Sequence, residues 1–368
     1  METQVQWKSG ASYGAAPSDA ARVARDRFEK QLAQGRQSAN DTINYVVSHV
    51  PEDAIVASND MEFKAFDEDI VLRFGDGYGT ARKIHKHAMG QLASRANVPL
   101  KFVNELLEGG VGWKHELLAH NLNELYHREP KQYLARSVNG ELRGWLSDRY
   151  ARYDSRPVLE RFIDGLQGIG ALPLAGTATD TRWSLKAVLP TIYEPVPGEV
   201  LVYGLELLNS DFGNGALHVR AFIDRLWCWN LCSGEDAVRK THLGAKLGDD
   251  IRYSEKTYAL QTETQASAVE DVVKHLLAPE ACETMNATIQ KAASDNVKWE
   301  TVKGRLKNLT KGEVEKVKTS FEGPDTYNLP EGQSTWRLSN AVSWLATSLE
   351  DGERKLDLER EAGRLISA

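Results

Sequence analysis

Two long apolar-rich runs, EVLVYGLELLNSD (199–211) and ALHVRAFIDRLW (216–227), are separated only by Phe212-Gly213-Asn214-Gly215. Strand-forming runs that close on a short glycine-rich turn make an antiparallel hairpin, so the middle of this chain must build an antiparallel sheet. Side chains alternate along a strand, which puts Val219, Ala221, Ile223 and Trp227 on one side and His218, Arg220 and Asp224 on the other. The first side is expected to be buried and the second to face solvent or a partner.

A second hairpin is signalled at Asn139-Gly140, the dipeptide best suited to a two-residue turn, between YLARSV and LRGWLSDRY. Asp154 then offers an N-cap, and Pro157 an early-turn proline, for the helix VLERFIDGLQ. Upstream, MEFKAFDEDIVLRF (61–74) reads as two short strands around Asp67-Glu68-Asp69, with GDGYG as the following turn. Residues 81–128 hold three helical stretches broken at Asn97-Val98-Pro99 and Gly109-Gly110. Ala20 to Gln34 forms a further helix after the arm GASYGAAPSD.

From Glu255 the chain is mainly helical. Leu338, Val342, Leu345, Leu349 and Leu356 fall at spacings of one helix face, a stripe for intramolecular packing more than for a coiled coil. The fold class expected is α+β: an antiparallel β-hairpin sheet, a helical N-terminal subdomain and covering C-terminal helices. Its units are a mobile arm and helix (1–58), a β-hairpin plus helical subdomain (59–130), an antiparallel β core (131–254) and a C-terminal helical region (255–368).

With 41% hydrophobic and 26% charged residues over 368 positions, the chain can bury a sizeable core. No apolar run reaches the ~20 residues that span a bilayer, and the first residues lack the apolar segment of a signal peptide. The expectation is a soluble, cytoplasmic protein with no membrane partner. Three cysteines, Cys228, Cys232 and Cys282, make no disulfide framework and are expected to be reduced. A net charge of −7 argues against indiscriminate nucleic-acid binding, although a local basic surface remains compatible with it.

Motifs for metal or nucleotide chemistry fall short. His115 and His120 are five apart, whereas zinc-protease histidines stand four apart on one helical face. His85 and His87 read as surface polar residues, and Cys228 and Cys232 lack zinc-ribbon spacing. No GxxxxGK[ST] loop or GxSxG elbow occurs. Neither a metal site, a cofactor nor a catalytic residue is assigned. Asp148, Asp154 and Glu206 near Lys186 are the carboxylates from which a metal-dependent nuclease site could be assembled. QLASRANVPLKFVNELLE (91–108) has a helix-turn-helix look, but its second helix carries one basic residue, Lys101, against Glu105 and Glu108, so it reads as helix packing. The lysine-rich VKWETVKGRLKNLTKGEVEKVK is diluted by glutamates and reads as a solvated face.

Three segments interleave cations with aromatic residues, the composition that holds single-stranded nucleic acid by phosphate attraction and base stacking. They contribute Arg143, Trp145, Arg149, Tyr150, Arg152 and Tyr153; Arg182, Trp183 and Lys186; and Arg220. Some of these aromatics must belong to the core, which makes the arginines the stronger candidates.

Leu146-Ser147-Asp148-Arg149-Tyr150, then Leu207-Leu208-Asn209-Ser210-Asp211-Phe212-Gly213, then Arg225-Leu226-Trp227-Cys228-Trp229-Asn230 with His242 downstream, follow one another in an order that resembles the phage/plasmid-like proteins of the domain-of-unknown-function family 932. The stretch Thr335-Trp336 through Asn340-Ala341-Val342 is similar to that family's closing helix, so the resemblance spans about residues 60 to 366. The chain departs from the family pattern at Leu231, where glycine is usual. The resemblance implies a mobile-element context near DNA metabolism without an activity, and a structural constellation of Arg225, Cys228, Asn230 and His242. The function expected is single-stranded DNA binding or annealing in replication or recombination, by a homo-oligomer. Its alternatives are a metal-dependent nuclease and a non-enzymatic protein that binds a host partner.

Overall fold

The computed structural model describes residues 19–67, 69–75, 81–226, 230–240, 242, 253–323 and 328–367. It is an α+β fold built on two six-stranded sheets. The first sheet takes β1 (Glu52–Ala57), β2 (Met61–Phe66), β3 (Asp69–Phe74) and β4 (Arg82–Ile84), and after three helices, β5 (Gln132–Val138) and β6 (Glu141–Ser147). Its spatial order is β1-β5-β6-β4-β3-β2, antiparallel except for the β4–β6 pair. The intervening α2 (Lys86–Arg95), α3 (Leu100–Leu107) and α4 (Gly112–Arg128) cover it with Met89, Leu92, Val103, Leu118 and Leu122. The break expected at residue 130 therefore lies between α4 and β5, inside the chain of one continuous sheet.

Both turn expectations on this side hold. Asn139 and Gly140 have φ of 52° and 77°, the paired positive values of a type I′ hairpin turn. Asn97, Gly109 and Gly110 also take positive φ where the three helices break. The arm before residue 19, most of GDGYG, and Trp227 and Cys228 lie outside the described residues.

The second sheet runs β12-β11-β10-β8-β7, with β9 paired to β10. Its members are β7 (Leu172–Ala178), β8 (Trp183–Val188), β9 (Tyr193–Val196), β10 (Glu199–Asn209), β11 (Leu217–Arg225) and β12 (Asn230–Lys240). The β10–β11 hairpin is the one expected, with Glu206 opposite Arg220. One face buries Leu185, Tyr203, Leu205, Val219 and Ile223 against α5 (Ser155–Gly168) and the C-terminal helices. Those helices are α6 (Glu255–Leu276), α7 (Pro279–Ser294), the short α8 (Trp299–Val302), α9 (Lys311–Glu322), α10 (Thr335–Thr347) and α11 (Gly352–Ser367). The onset expected at 255 coincides with the Ser254 N-cap, whose hydroxyl accepts from Thr257 N–H at 3.3 Å.

Three expectations need correction. The far face of β11 is largely covered: Arg220 and Asp224 are 0% and 2% exposed, and His218 is half-buried. The cause is α1 (Asp19–Ser48), fifteen residues longer than Ala20–Gln34, which packs Ala24, Phe28 and Leu32 against that face. Its approach is close, since a Cβ on Gly35 would stand 1.6 Å from the Leu174 carbonyl oxygen. The leucine stripe is split between α10 and α11, although Leu338, Val342 and Leu345 do pack intramolecularly. Asp154 occupies the N-cap position of α5 without capping it; Asp211 Oδ1 accepts from Ser155 N–H at 2.8 Å instead.

Candidate functional site

The segments that carry the family resemblance meet where the two sheets join. Arg136 of β5, 1% exposed, is the hub. Its Nε donates to Asp53 Oδ1 at 2.7 Å, Nη2 to Asp154 Oδ1 at 2.5 Å, and Nη1 to the Asp211 carbonyl at 2.9 Å. Arg152 adds a second guanidinium, bonded to Glu255 at 2.5 and 3.2 Å and 3.2 Å from Asp53. Asp211 is buried, and desolvation raises its pKa to about 6 although Arg136 pulls the other way. Arg136 was not singled out from the sequence. Its signal was an arginine inside the apolar run YLARSV, which can be buried only with partners.

His242 closes the same junction. One ring nitrogen lies 2.7 Å from the Ala151 carbonyl, the other 3.2 Å from Asn209 Oδ1, and the ring stacks on Tyr150 at 4.9 Å and 4°. Burial lowers its pKa to about 4, so it is held neutral. Asn209 also donates to the Tyr153 carbonyl at 2.7 Å. These contacts tie the 146–156 and 207–214 loops together, with the neutral imidazole donating to one of its two neighbours. Gly213, at φ 75° with Leu146 Cδ2 2.7 Å from where a Cβ would sit, is required for that contact.

The proposed structural constellation divides in two. Arg225 pairs with Glu199 through Nε and Nη2, both at 2.6 Å, at the end of β11 that faces Asn230. His242 follows the opposite end of β12. Both side chains are buried and bonded within the fold, but Arg225 and His242 do not form one group. The side chain of Asn230 and all of Cys228 lie outside what is described.

Most of the interleaved cations and aromatics are interior. Trp145 is 0% exposed and packs on Tyr126 and Tyr133; Trp183 is 5% exposed and donates to Ser155 Oγ at 2.7 Å. Tyr150 is buried on His242, and Tyr153 is partly buried beside it at 5.0 Å. Arg143 is buried against Glu141 at 2.9 Å and the Tyr45 hydroxyl at 2.8 Å. Arg152 and Arg220 are bound to carboxylates as described above and below. As a shared surface for a strand these six, Arg143, Trp145, Tyr150, Arg152, Trp183 and Arg220, are corrected to core and junction roles: Trp183 and Arg220 lie on a sheet packed on both faces, and the other four are buried by contacts from elsewhere in the chain. Arg182 is exposed, and Arg149 and Lys186 are partly exposed.

Arg149 lines an open cleft of about 780 Å³ at the end of the first sheet, where β1 and β6 end and β5 begins. Arg95, Lys131, Tyr133 and Asp148 share it. Arg95 closes α2, donates from Nε to the Trp145 carbonyl at 3.0 Å and lies over the Tyr133 ring at 5.7 Å. No carboxylate stands within ion-pair distance of Arg95 among the described residues. Lys131 contacts Glu129 at 3.1 Å, both well exposed. Three cations thus line the cleft together with Asp148, and Glu129 pairs with one of them, Lys131. The sequence pattern missed Arg95 and Lys131 because each ends or begins an element in a different segment.

The other motifs settle into the fold. His115 is buried and His120 exposed, as their spacing requires. His85 and His87 are half-buried and bonded within the fold: His85 Nδ1 accepts from His87 N–H, and His87 Nε2 lies 3.0 Å from the Phe212 carbonyl. Asp148, Asp154 and Glu206 do not converge, since Asp154 is held by Arg136, Glu206 by Arg220, and Asp148 lies in the cleft. Among the described residues no group of three His, Cys, Asp or Glu is placed to hold a metal ion, and no helix is long and apolar enough to cross a membrane.

No protein-family model, curated protein or solved structure matches this chain.

Proposed function

We propose that this chain is a single-strand nucleic-acid-binding protein of a mobile element, holding the phosphate backbone in the cleft of Arg95, Lys131 and Arg149. The observation that carries the reading is that Arg95, Lys131 and Arg149 line one cleft, with Asp148 among them and Glu129 beside Lys131, on a chain of net charge −7. Phosphates are captured by such local positive fields, whatever the sign of the whole molecule. The resemblance to the phage/plasmid-like family adds the context of replication or recombination. Tyr133, 7% exposed, walls the cleft more than it offers a stacking face, so backbone attraction dominates over stacking. Fluorescence anisotropy with labelled single- and double-stranded DNA of equal length tests it. Salt-sensitive binding that Arg149→Ala and Lys131→Ala weaken, with the fold intact by circular dichroism, supports the reading; unchanged affinity refutes it.

A second reading, a protein-docking role, is favoured by one observation. Trp113 is 63% exposed, with Leu117 one turn on at 39% and Leu100 and Phe102 of α3 at 48% and 38%. Large apolar side chains grouped on a helical hairpin mark contact surfaces. Light scattering of the wild type against Trp113→Lys tests whether a second copy covers them: a dimer dissociated by the substitution supports self-association.

A further inference from the structure

A second cavity, of about 290 Å³, lies between β7, β8, β10 and α11. Alternation along β8 puts Arg182, Ser184 and Lys186 on the face that lines it, and Thr177 of β7 stands opposite Ser184 in register. Lys355 of α11 lines it from above the sheet. Arg182 and Thr177 are exposed, and Ser184, Lys186 and Lys355 are partly exposed, so none of the five is sealed from the cavity. The hydroxyls of Thr177 and Ser184 have no hydrogen-bond partner, and Lys355 no ion-pair partner, among the described residues.

Two carboxyls share the lining. Glu206 is already matched: its Oε2 accepts from Arg220 Nε at 2.7 Å, behind the wall, and its Oε1 is 3.9 Å from Lys186 Nζ. Glu359 is 2% exposed, and burial holds its carboxyl above the usual range against the pull of Lys186 and Lys355. Asp224, further along the same sheet face, lies outside the lining, accepts from Gln31 at 3.2 Å and is raised to about 6 by burial. With Arg220 set against Glu206, the three cations Arg182, Lys186 and Lys355 face one buried carboxyl. The groups that reach the cavity are cations and hydroxyl donors, and a concave site with such an excess draws an anion. A phosphate group offers two negative charges and several acceptor oxygens to ammonium, guanidinium and hydroxyl donors at once, more than a carboxylate can.

We propose that this cavity is a phosphate-group site, for free phosphate or a small phosphomonoester, with Arg182, Lys186 and Lys355 as its cations and Thr177 and Ser184 as its hydroxyl donors. The volume lies at the lower edge of ligand pockets, which suits a small molecule and not a nucleic-acid strand. The cavity sits on the second sheet and the nucleic-acid cleft at the end of the first, and neither proposal depends on the other.

Thermal shift and titration calorimetry of the full chain at constant ionic strength test it, with inorganic phosphate, glycerol phosphate, glycerol and sodium chloride as probes. At least one of the two phosphates is expected to raise Tm in a concentration-dependent manner, while glycerol and chloride do not. Tighter binding of the ester assigns an organic phosphate as the occupant, and tighter binding of inorganic phosphate assigns the free ion. Lys186→Met and Lys355→Met are each expected to weaken binding about tenfold and Ser184→Ala severalfold, whereas Arg149→Ala leaves it unchanged. Should Lys186→Met fail to fold, Lys355→Met on α11 and Arg182→Ala at an exposed position carry the test. The assignment is overturned if neither phosphate binds, if chloride acts equally well, if the cavity variants retain wild-type affinity, or if Arg149→Ala abolishes binding and so places the ion in the nucleic-acid cleft.

Discussion

Arg220 of β11 and Glu206 of β10 stand opposite each other in register, and the Arg220 Nε donates to Glu206 Oε2 at 2.7 Å with neither side chain reaching solvent. The pair sits on the face of the second sheet that alternation alone would assign to solvent. Its burial decides the role of Arg220: a cation committed to a carboxylate beneath α1 and α11 has no charge to offer a strand. Removing one partner strands the other in a medium of low dielectric. Arg220→Ala is expected to destabilise the chain by about 3–5 kcal/mol, and Arg220→Met with Glu206→Leu together to cost much less. Urea unfolding of the single and double variants checks this.

Gly35 gives a second prediction through sterics. Because a Cβ there would stand 1.6 Å from the Leu174 carbonyl oxygen, Gly35→Ala must push α1 away from β7. The loss expected is about 3 kcal/mol or more, against a helix-propensity gain of about 1 kcal/mol. Thermal denaturation would show a lowered Tm, whereas an unchanged or raised value would contradict the observed approach of α1.

The junction makes stability depend on pH in opposed ways. His242 has its folded-state pKa lowered to about 4, so its contribution is fully present above the unfolded value of about 6.5 and is lost as pH falls toward 4. Relative to His242→Gln, the wild type should lose up to about 3 kcal/mol over that window. Asp211 is raised to about 6, so the folded state holds its proton more tightly than the unfolded chain does. Asp211→Asn should therefore gain on the wild type as pH rises from about 4 to 6. Unfolding free energies at several pH values for the three proteins read both effects.

Gly213→Ala tests the contact between the two loops. It combines an unfavourable φ of 75° with a 2.7 Å approach to Leu146 Cδ2. A cost of about 1–3 kcal/mol is expected, measured by urea unfolding.

How much of this was legible in the sequence follows from the range of each signal. Asn139-Gly140, Asn97-Val98-Pro99, Gly109-Gly110 and the β10–β11 run are local: the turn chemistry is written in neighbouring residues, and the structure places the corresponding turns and strands there. What covers a strand is not local. Arg143, Arg152 and Arg220 look like surface cations until Tyr45, Glu255 and Glu206 arrive from elsewhere in the chain. The cleft has the same origin, because Arg95, Lys131 and Arg149 come together only when α2, β5 and β6 pack. Of the ten residues proposed from interleaving, Arg149 alone lies in that cleft.

The most direct measurement is the salt dependence of single-stranded DNA binding by anisotropy, for the wild type and for Arg149→Ala. Three phosphate contacts predict a slope of about −2 in log K against log salt, reduced by about 0.7 in the variant. A protein that binds no single strand at low salt, or whose slope and affinity ignore Arg149, would contradict the cleft as a nucleic-acid site.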